Sequence, residues 1–266
     1  MSDNRPIGVF DSGVGGLTVV RSLLEQLPGE SFIYFGDTAH LPYGSKSQAE
    51  LFQYARSIVG FLLEREVKAI VVACGTHSSV TLPVMERECP VPILGVVKAG
   101  ADAAVKASRN GKIGIIATQA TVNNGSYRQH IMAHGPYQVF SSPCPGFVPL
   151  VEAGIFSGQE LEAAMEEYIA PLLKQGIDTL LLGCTHYPFL AEAIAGFAGP
   201  EVTLIDPAVG TVAALASILG QKDIMSTAVQ GDGQFFVSGN DQSFFHAGRL
   251  LLKGDIIHKV ERVCFD

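Results

Sequence analysis

Lys68-Ala69-Ile70-Val71-Val72-Ala73-Cys74 and Asp178-Thr179-Leu180-Leu181-Leu182-Gly183-Cys184 decide the fold class of this chain. Each is a short, nearly unbroken apolar run that ends on a cysteine. Such a run is too short for a helix and fits a strand buried on both faces, as in a parallel sheet. A second pair stands upstream: Ile7-Gly8-Val9-Phe10-Asp11-Ser12 resembles Ile113-Gly114-Ile115-Ile116-Ala117-Thr118. The offsets are 106 residues from Ile7 to Ile113 and 110 from Cys74 to Cys184. Two matches in the same order predict two related halves; the alternative is that parallel strands look alike by composition alone.

Working outward, strand-like runs alternate with amphipathic ones. Ile7–Phe10 leads into a Gly-rich turn and a helical pattern from Leu17 to Leu27, and Phe32–Phe35 is strand-like. From Ala49 to Glu66 the apolar residues Leu51, Tyr54, Ala55, Ile58, Phe61 and Leu62 follow helical spacing. Helical patterns resume near Ser78 and near Phe189, after the two cysteines. This alternation predicts α/β architecture: two pseudo-symmetric α/β domains with mostly parallel sheets and the active site in the cleft between them. Val91 to Gly95 reads as a linker between the halves, and the last ~60 residues are expected to pack back on the first half. The expected domains are 1–95 with 207–266, and 96–206.

Composition narrows the function classes. The chain has 266 residues, 47% of them hydrophobic and only 17% charged, which excludes disorder and provides a large core. Net charge is −8 and no basic tract occurs, so neither nucleic acid nor an anionic membrane is an expected partner. The apolar runs are far shorter than the ~20 residues that span a bilayer. The chain enters its first strand-like run at Ile7, so no signal peptide is expected. Five scattered cysteines, Cys74, Cys89, Cys144, Cys184 and Cys264, are not a disulfide framework and point to free thiols in a reducing cytoplasm.

Cys74 is followed by Gly75-Thr76-His77 and Cys184 by Thr185-His186-Tyr187-Pro188. A cysteine between a strand end and a helix start sits at the positive end of a helix dipole, which is expected to lower its pKa. Two thiols that address opposite faces of one carbon suit racemisation, where one group removes a proton and another delivers one. The ordinary structural reading is a pair of inert core cysteines. Zinc ligation by Cys74, His77, Cys184 and His186 is a further alternative, although a Cys and a His two residues apart lie outside the usual ligand spacings. A cysteine-nucleophile hydrolase or transferase is another, and it leaves the second cysteine without a task. The turn Asp11-Ser12-Gly13-Val14-Gly15-Gly16 offers backbone N–H groups to a carboxylate or phosphate, or is a plain tight turn. Asp11 would attract an ammonium, so a ligand that carries both charges, such as an amino acid, reconciles the two. His40 and Tyr43 are ligand contacts or half-buried loop residues, and Glu152 by itself reads as a solvated carboxylate.

Taken in order, Asp11 to Gly16, Tyr34-Phe35-Gly36-Asp37-Thr38, Pro42-Tyr43-Gly44, Ala73-Cys74, Ile113-Gly114 with Ala117-Thr118, Val148 to Gly154 and Gly183 to Pro188 resemble the glutamate racemases of the aspartate/glutamate racemase superfamily. The resemblance covers essentially the whole chain. It implies cofactor-independent interconversion of L- and D-glutamate, D-glutamate for peptidoglycan, no metal, and a homodimer. It implies that Cys74 acts on the D and Cys184 on the L enantiomer, assisted by Asp11, Glu152 and His186. Substrate contacts are implied at Asp11, Ser12, Tyr43, Gly44, Thr76, Thr185 and His186, with Gly75 and Thr118 at matching positions. The family pattern Cys-Asn-Thr-Ala reads Cys74-Gly75-Thr76-His77 here, so an Asn side chain that contacts substrate is replaced by none, unless the His77 ring turns toward the ligand. The alternatives are a superfamily racemase with shifted amino-acid specificity, or a weakly active homologue that binds an amino acid or a protein.

Overall fold

The computed structural model describes residues 2–41, 43, 46–252 and 256–265. The chain forms two compact units, residues 1–96 with 211–266, and residues 97–210. In chain order the strands are β1 (Ile7–Asp11), β2 (Phe32–Gly36), β3 (Ala69–Val72), β4 (Ile93–Gly95), β5 (Lys112–Ala117), β6 (Gln138–Pro143), β7 (Thr179–Leu182), β8 (Thr203–Ile205), β9 (Gly233–Val237) and β10 (Val260–Arg262). The first unit holds a sheet of order β10-β9-β2-β1-β3-β4, the second one of order β6-β5-β7-β8. Every pairing is parallel.

The repeat seen in the sequence is a repeat of topology. The order β2-β1-β3-β4 matches β6-β5-β7-β8 strand for strand. Register sharpens the match: Ile7 stands beside Phe32 and Ala69, and Ile113 stands beside Val139 and Thr179. Cys74 and Cys184 therefore lie at the same distance beyond equivalent rungs. Val91–Gly95, expected as a linker, is instead the edge of the first sheet: Ile93–Gly95 pairs with β3, and the Pro92 carbonyl accepts the Ile70 N–H at 2.8 Å. Pro92 stands just ahead of the strand, where an edge strand tolerates a proline.

Why these runs are strands is plain from burial. All residues of β1, β2, β3 and β7 are buried. Phe10, Ile33, Phe35, Ile58, Leu62, Ile70 and Val72 share the core of the first unit, and Ile113, Ile115, Tyr127, Ile131 and Leu181 share that of the second. The periodic stretch near residue 50 is the helix Gln48–Leu63, started by a capping box in which Ser47 and Glu50 satisfy each other's backbone N–H groups. That cap is worth about 1 kcal/mol and fixes where the preceding loop, which carries Tyr43, must end. At the opposite end of the first sheet Lys68 is fully buried, 2.6 Å from Glu30, and donates to the carbonyls of Asp3 and Ile224. With these acceptors met, the buried charge is tolerated. Among the described residues no helix is long and apolar enough to cross a membrane.

Candidate active site

The chemistry-bearing residues stand at the carboxyl ends of the strands, where open α/β sheets collect ligands. In the first unit Asp11 ends β1, Asp37 follows β2, and Cys74 follows β3. The Asp11 carbonyl accepts the Asp37 N–H at 2.9 Å. Asp11 is buried, and its Oδ2 accepts the N–H groups of Gly13 (3.1 Å) and Gly16 (3.0 Å). Two N–H groups of the Gly-rich turn thus bind the chain's own carboxylate. Oδ1 of Asp11 is buried with no hydrogen-bond partner among the described residues. Gly16 is required sterically: a Cβ there would stand 2.6 Å from the Asp11 Cβ and 2.7 Å from the Tyr34 hydroxyl. That hydroxyl donates to the Gly13 carbonyl at 2.7 Å and anchors the turn to β2.

Cys74 caps the helix Gly75–Val80, which begins three residues earlier than its sequence pattern suggests. The N–H groups of His77 and Thr76 and the Ser12 hydroxyl face its sulfur and favour the thiolate. Burial, aided by the Asp11 charge, outweighs them and pushes the thiol up to about 12. The expected lowering by the helix end is therefore overturned: a six-residue helix does not offset the loss of water around a residue 5% exposed. His77 does not turn toward a ligand. It is fully buried, its ring edge-on to Phe10 (5.5 Å) and Tyr43 (4.7 Å), with Nδ1 3.1 Å from the Thr81 hydroxyl. Burial lowers its pKa to about 4, against the pull of Asp37. Tyr43 is buried beside Cys74 and Leu51, and its hydroxyl donates to Asp37 Oδ2 at 2.5 Å. His40 stacks on Tyr54 and its Nδ1 lies 2.7 Å from Asp37 Oδ1. Gly44 lies outside the described residues.

In the second unit Thr118 follows β5, Cys144 follows β6 and Cys184 follows β7. The Thr118 hydroxyl caps the helix Gln119–Asn124. Cys184 is half-buried, and its sulfur stands 3.8 Å from Nδ1 of His186. Nε2 of the buried His186 lies 3.4 Å from Oε1 of the half-exposed Glu152. Cys184, His186 and Glu152 thus form one chain of contacts, and Thr185 lies between the first two in sequence. Tyr187 begins a short 3₁₀ turn, Tyr187–Leu190, before the helix Ala191–Ala198. Its hydroxyl donates to the Cys144 carbonyl at 2.9 Å. Burial, followed by the proximity of Cys184, pushes the Cys144 thiol up.

Sequence reasoning missed Asp37 as a hub and Cys144 as its counterpart. Extending the repeat through the register of β2 and β6 finds both, but Phe32-Ile33-Tyr34-Phe35-Gly36 and Val139-Phe140-Ser141-Ser142-Pro143 are identical at no matching position. Among the described residues no group of three or more His, Cys, Asp or Glu is arranged to hold a metal ion.

Residues 7–215 match the model of the Asp/Glu/hydantoin racemase family. The chain belongs to that family. It is 47% identical over 246 residues to a glutamate racemase of Desulforudis audaxviator, covering 90% of each chain. It is 42% identical to one of Thermoanaerobacter pseudethanolicus, covering 98% of each. The crystal structure of glutamate racemase from Francisella tularensis in complex with D-glutamate superposes with a TM-score of 0.89 at 38% identity, covering 98% of each chain.

Proposed function

We propose that this chain interconverts L- and D-glutamate without a cofactor, with Cys74 and Cys184 as the two proton-transfer groups. One observation supports the reading above the rest. The two thiols occupy the same place in two copies of one topology, five residues beyond the rungs Ile7–Ala69 and Ile113–Thr179. Two-base racemisation requires a base on one face and an acid on the other, and a duplicated fold supplies a pair of thiols for the two tasks.

The reaction runs as follows in this reading. The Cys184 thiolate takes the α-proton of L-glutamate, and His186 at 3.8 Å orients that sulfur. The Cys74 thiol, protonated at rest because it is buried, gives its proton to the opposite face. The reverse reaction exchanges the roles. Oδ1 of Asp11, without a partner among the described residues, suits the substrate ammonium, and the N–H groups at the start of helix Gly75–Val80 suit negative charge. The product D-glutamate serves peptidoglycan synthesis, the compartment is the cytoplasm and the assembly is a homodimer. Ser12, Tyr43, Gly44, Gly75, Thr76, Thr118, Thr185 and His186 are the proposed substrate contacts, with Glu152 and His186 assisting Cys184.

Gly75 favours a second reading, a racemase with shifted amino-acid preference, because it offers no side chain where the resembling enzymes carry Asn. One experiment tests both. Purified protein is mixed with L-glutamate, and then with L-aspartate and L-glutamine, with no cofactor added, and ellipticity is followed. Loss of ellipticity with glutamate, abolished by Cys74→Ala and by Cys184→Ala, is the expected result. Turnover of another amino acid alone supports the second reading. No turnover of any amino acid leaves a binding protein as the better description.

A further inference from the structure

We infer that Ser238 is a positioning residue of the glutamate site, acting through Asp37 on the Tyr43 loop. The inference rests on the function proposed above. Ser238 lies beyond the residues that the family model matches, one residue past β9. Because Val237 stands beside Gly36 in the register of β9 and β2, Ser238 falls next to Asp37 at the carboxyl end of the sheet. Its hydroxyl donates to Asp37 Oδ1 at 2.6 Å and accepts the Ala39 N–H at 3.0 Å. Its own N–H donates to the Gly36 carbonyl at 3.1 Å. The next residue, Gly239, comes so close to the loop that a Cβ would stand 2.6 Å from the Thr38 hydroxyl oxygen, and its N–H donates to that oxygen at 3.1 Å.

Asp37 is fully buried, so each partner of its carboxylate matters. Tyr43 and His40 come from the same loop as Asp37. The Asp37 N–H is held by the Asp11 carbonyl, but among the described partners of its carboxylate Ser238, 201 residues away in sequence, is the one that comes from the sheet. What the cluster holds is Tyr43, whose ring packs with Cys74 and against His77. Removing the hydroxyl leaves a buried carboxylate oxygen short of a donor and the Ala39 N–H short of an acceptor. The economical response is a shift of the loop, and with it of Tyr43 beside the reactive thiol. The second unit has no such tie: β6 is the edge of its sheet among the described residues, and Cys144 fills the place of Asp37.

The test uses the full chain. Ser238→Ala should raise KM for both enantiomers of glutamate about tenfold, the effect of losing one hydrogen bond to a charged group. The turnover number should stay within about threefold, and Ser238→Thr, which keeps the hydroxyl, should restore KM. In an Asp37→Asn background the same change should add less than about threefold. By NMR, the Ala39 amide should exchange about tenfold faster in Ser238→Ala while core amides of β1 do not change. An unchanged KM, full additivity with Asp37→Asn, or an unchanged Ala39 amide would each overturn the inference. If Ser238→Ala does not fold, Ser238→Cys, a weaker donor of similar shape, takes the same tests. If the native protein does not turn over glutamate, the proposed function fails, and the Ala39 amide alone then decides whether Ser238 holds the loop.

Discussion

Nδ1 of His186 stands 3.8 Å from the sulfur of Cys184, and the far nitrogen of the same ring faces Glu152 at 3.4 Å. In the proposed mechanism the ring therefore links a carboxylate to the thiol that takes the α-proton of L-glutamate. Enantiomers in water have equal free energy, so kcat/KM must fall by the same factor in both directions when this contact is cut. His186→Asn is expected to lower kcat/KM by about a hundredfold, the lower range for a positioned acid or base. Any asymmetry then shows only in kcat and KM taken separately, with the larger fall of kcat where Cys184 takes the proton. Glu152→Gln is expected to cost less than about tenfold, since a half-exposed pair is weak. Circular dichroism from each enantiomer checks both, and a kcat/KM within twofold of native for His186→Asn would remove the ring from the mechanism.

The Cys74 thiol, held up to about 12 by burial and by Asp11, is a thiol at neutral pH. Thiolate is the species that iodoacetamide attacks, and at pH 8 it makes up about one part in ten thousand of a thiol with that pKa. The exposed Cys264 should therefore be labelled while Cys74 is not. Labelling of Cys74 should rise about tenfold per pH unit between pH 8 and pH 10. Asp11→Asn removes the opposing charge and should speed it at fixed pH. Peptide mass spectrometry reads each site; rapid labelling of Cys74 at pH 7 would show that the thiolate is already formed at rest.

His77 gives the acid side of stability. Buried in the neutral form with a pKa of about 4, it takes no proton in the folded state where an unfolded chain, near 6.5, already does. A depressed histidine therefore contributes nothing above pH 6.5, costs stability as pH falls from 6.5 to 4, and adds no further cost below that. The full penalty is about 3 kcal/mol at 1.36 kcal/mol per pH unit. Urea unfolding of the native chain and of His77→Gln should show the substituted protein with the flatter dependence across that window. Parallel curves would place the acid sensitivity elsewhere.

The strands were legible because burial on both faces leaves an unmistakable composition, as in Ala69–Val72 and Thr179–Leu182. The helix Gln48–Leu63 was legible from its period, and the cysteines from their place after strands. Three things were not. The thiol pKa of Cys74 depends on how much water reaches it, which no local pattern encodes. Ile93–Gly95 is a strand only because β3 has a free edge to offer it. Ser238 meets Asp37 through a pairing of β9 with β2 that sequence distance conceals.

Gly75 is the last position to test. It opens the helix Gly75–Val80 without a left-handed φ, so a side chain there strains no backbone. Asn in its place costs no helix propensity relative to Gly and offers an amide next to Cys74, on the residue where the resembling enzymes carry one. His77 need not be changed with it, since its ring is packed against Phe10 and Tyr43 and truncating it would open a cavity beside them. If the amide reaches a substrate carboxylate, it contributes equally to ground state and transition state, and KM falls while kcat holds. Gly75→Asn is therefore expected to lower KM for glutamate about tenfold, with kcat within about threefold. The same variant should leave KM for aspartate unchanged if the contact is to the distal carboxylate, because the shorter side chain does not carry it to the same place. Equal improvement for both substrates would move the contact to the α-carboxylate, and no change for either would show that the native loop already satisfies the ligand without position 75.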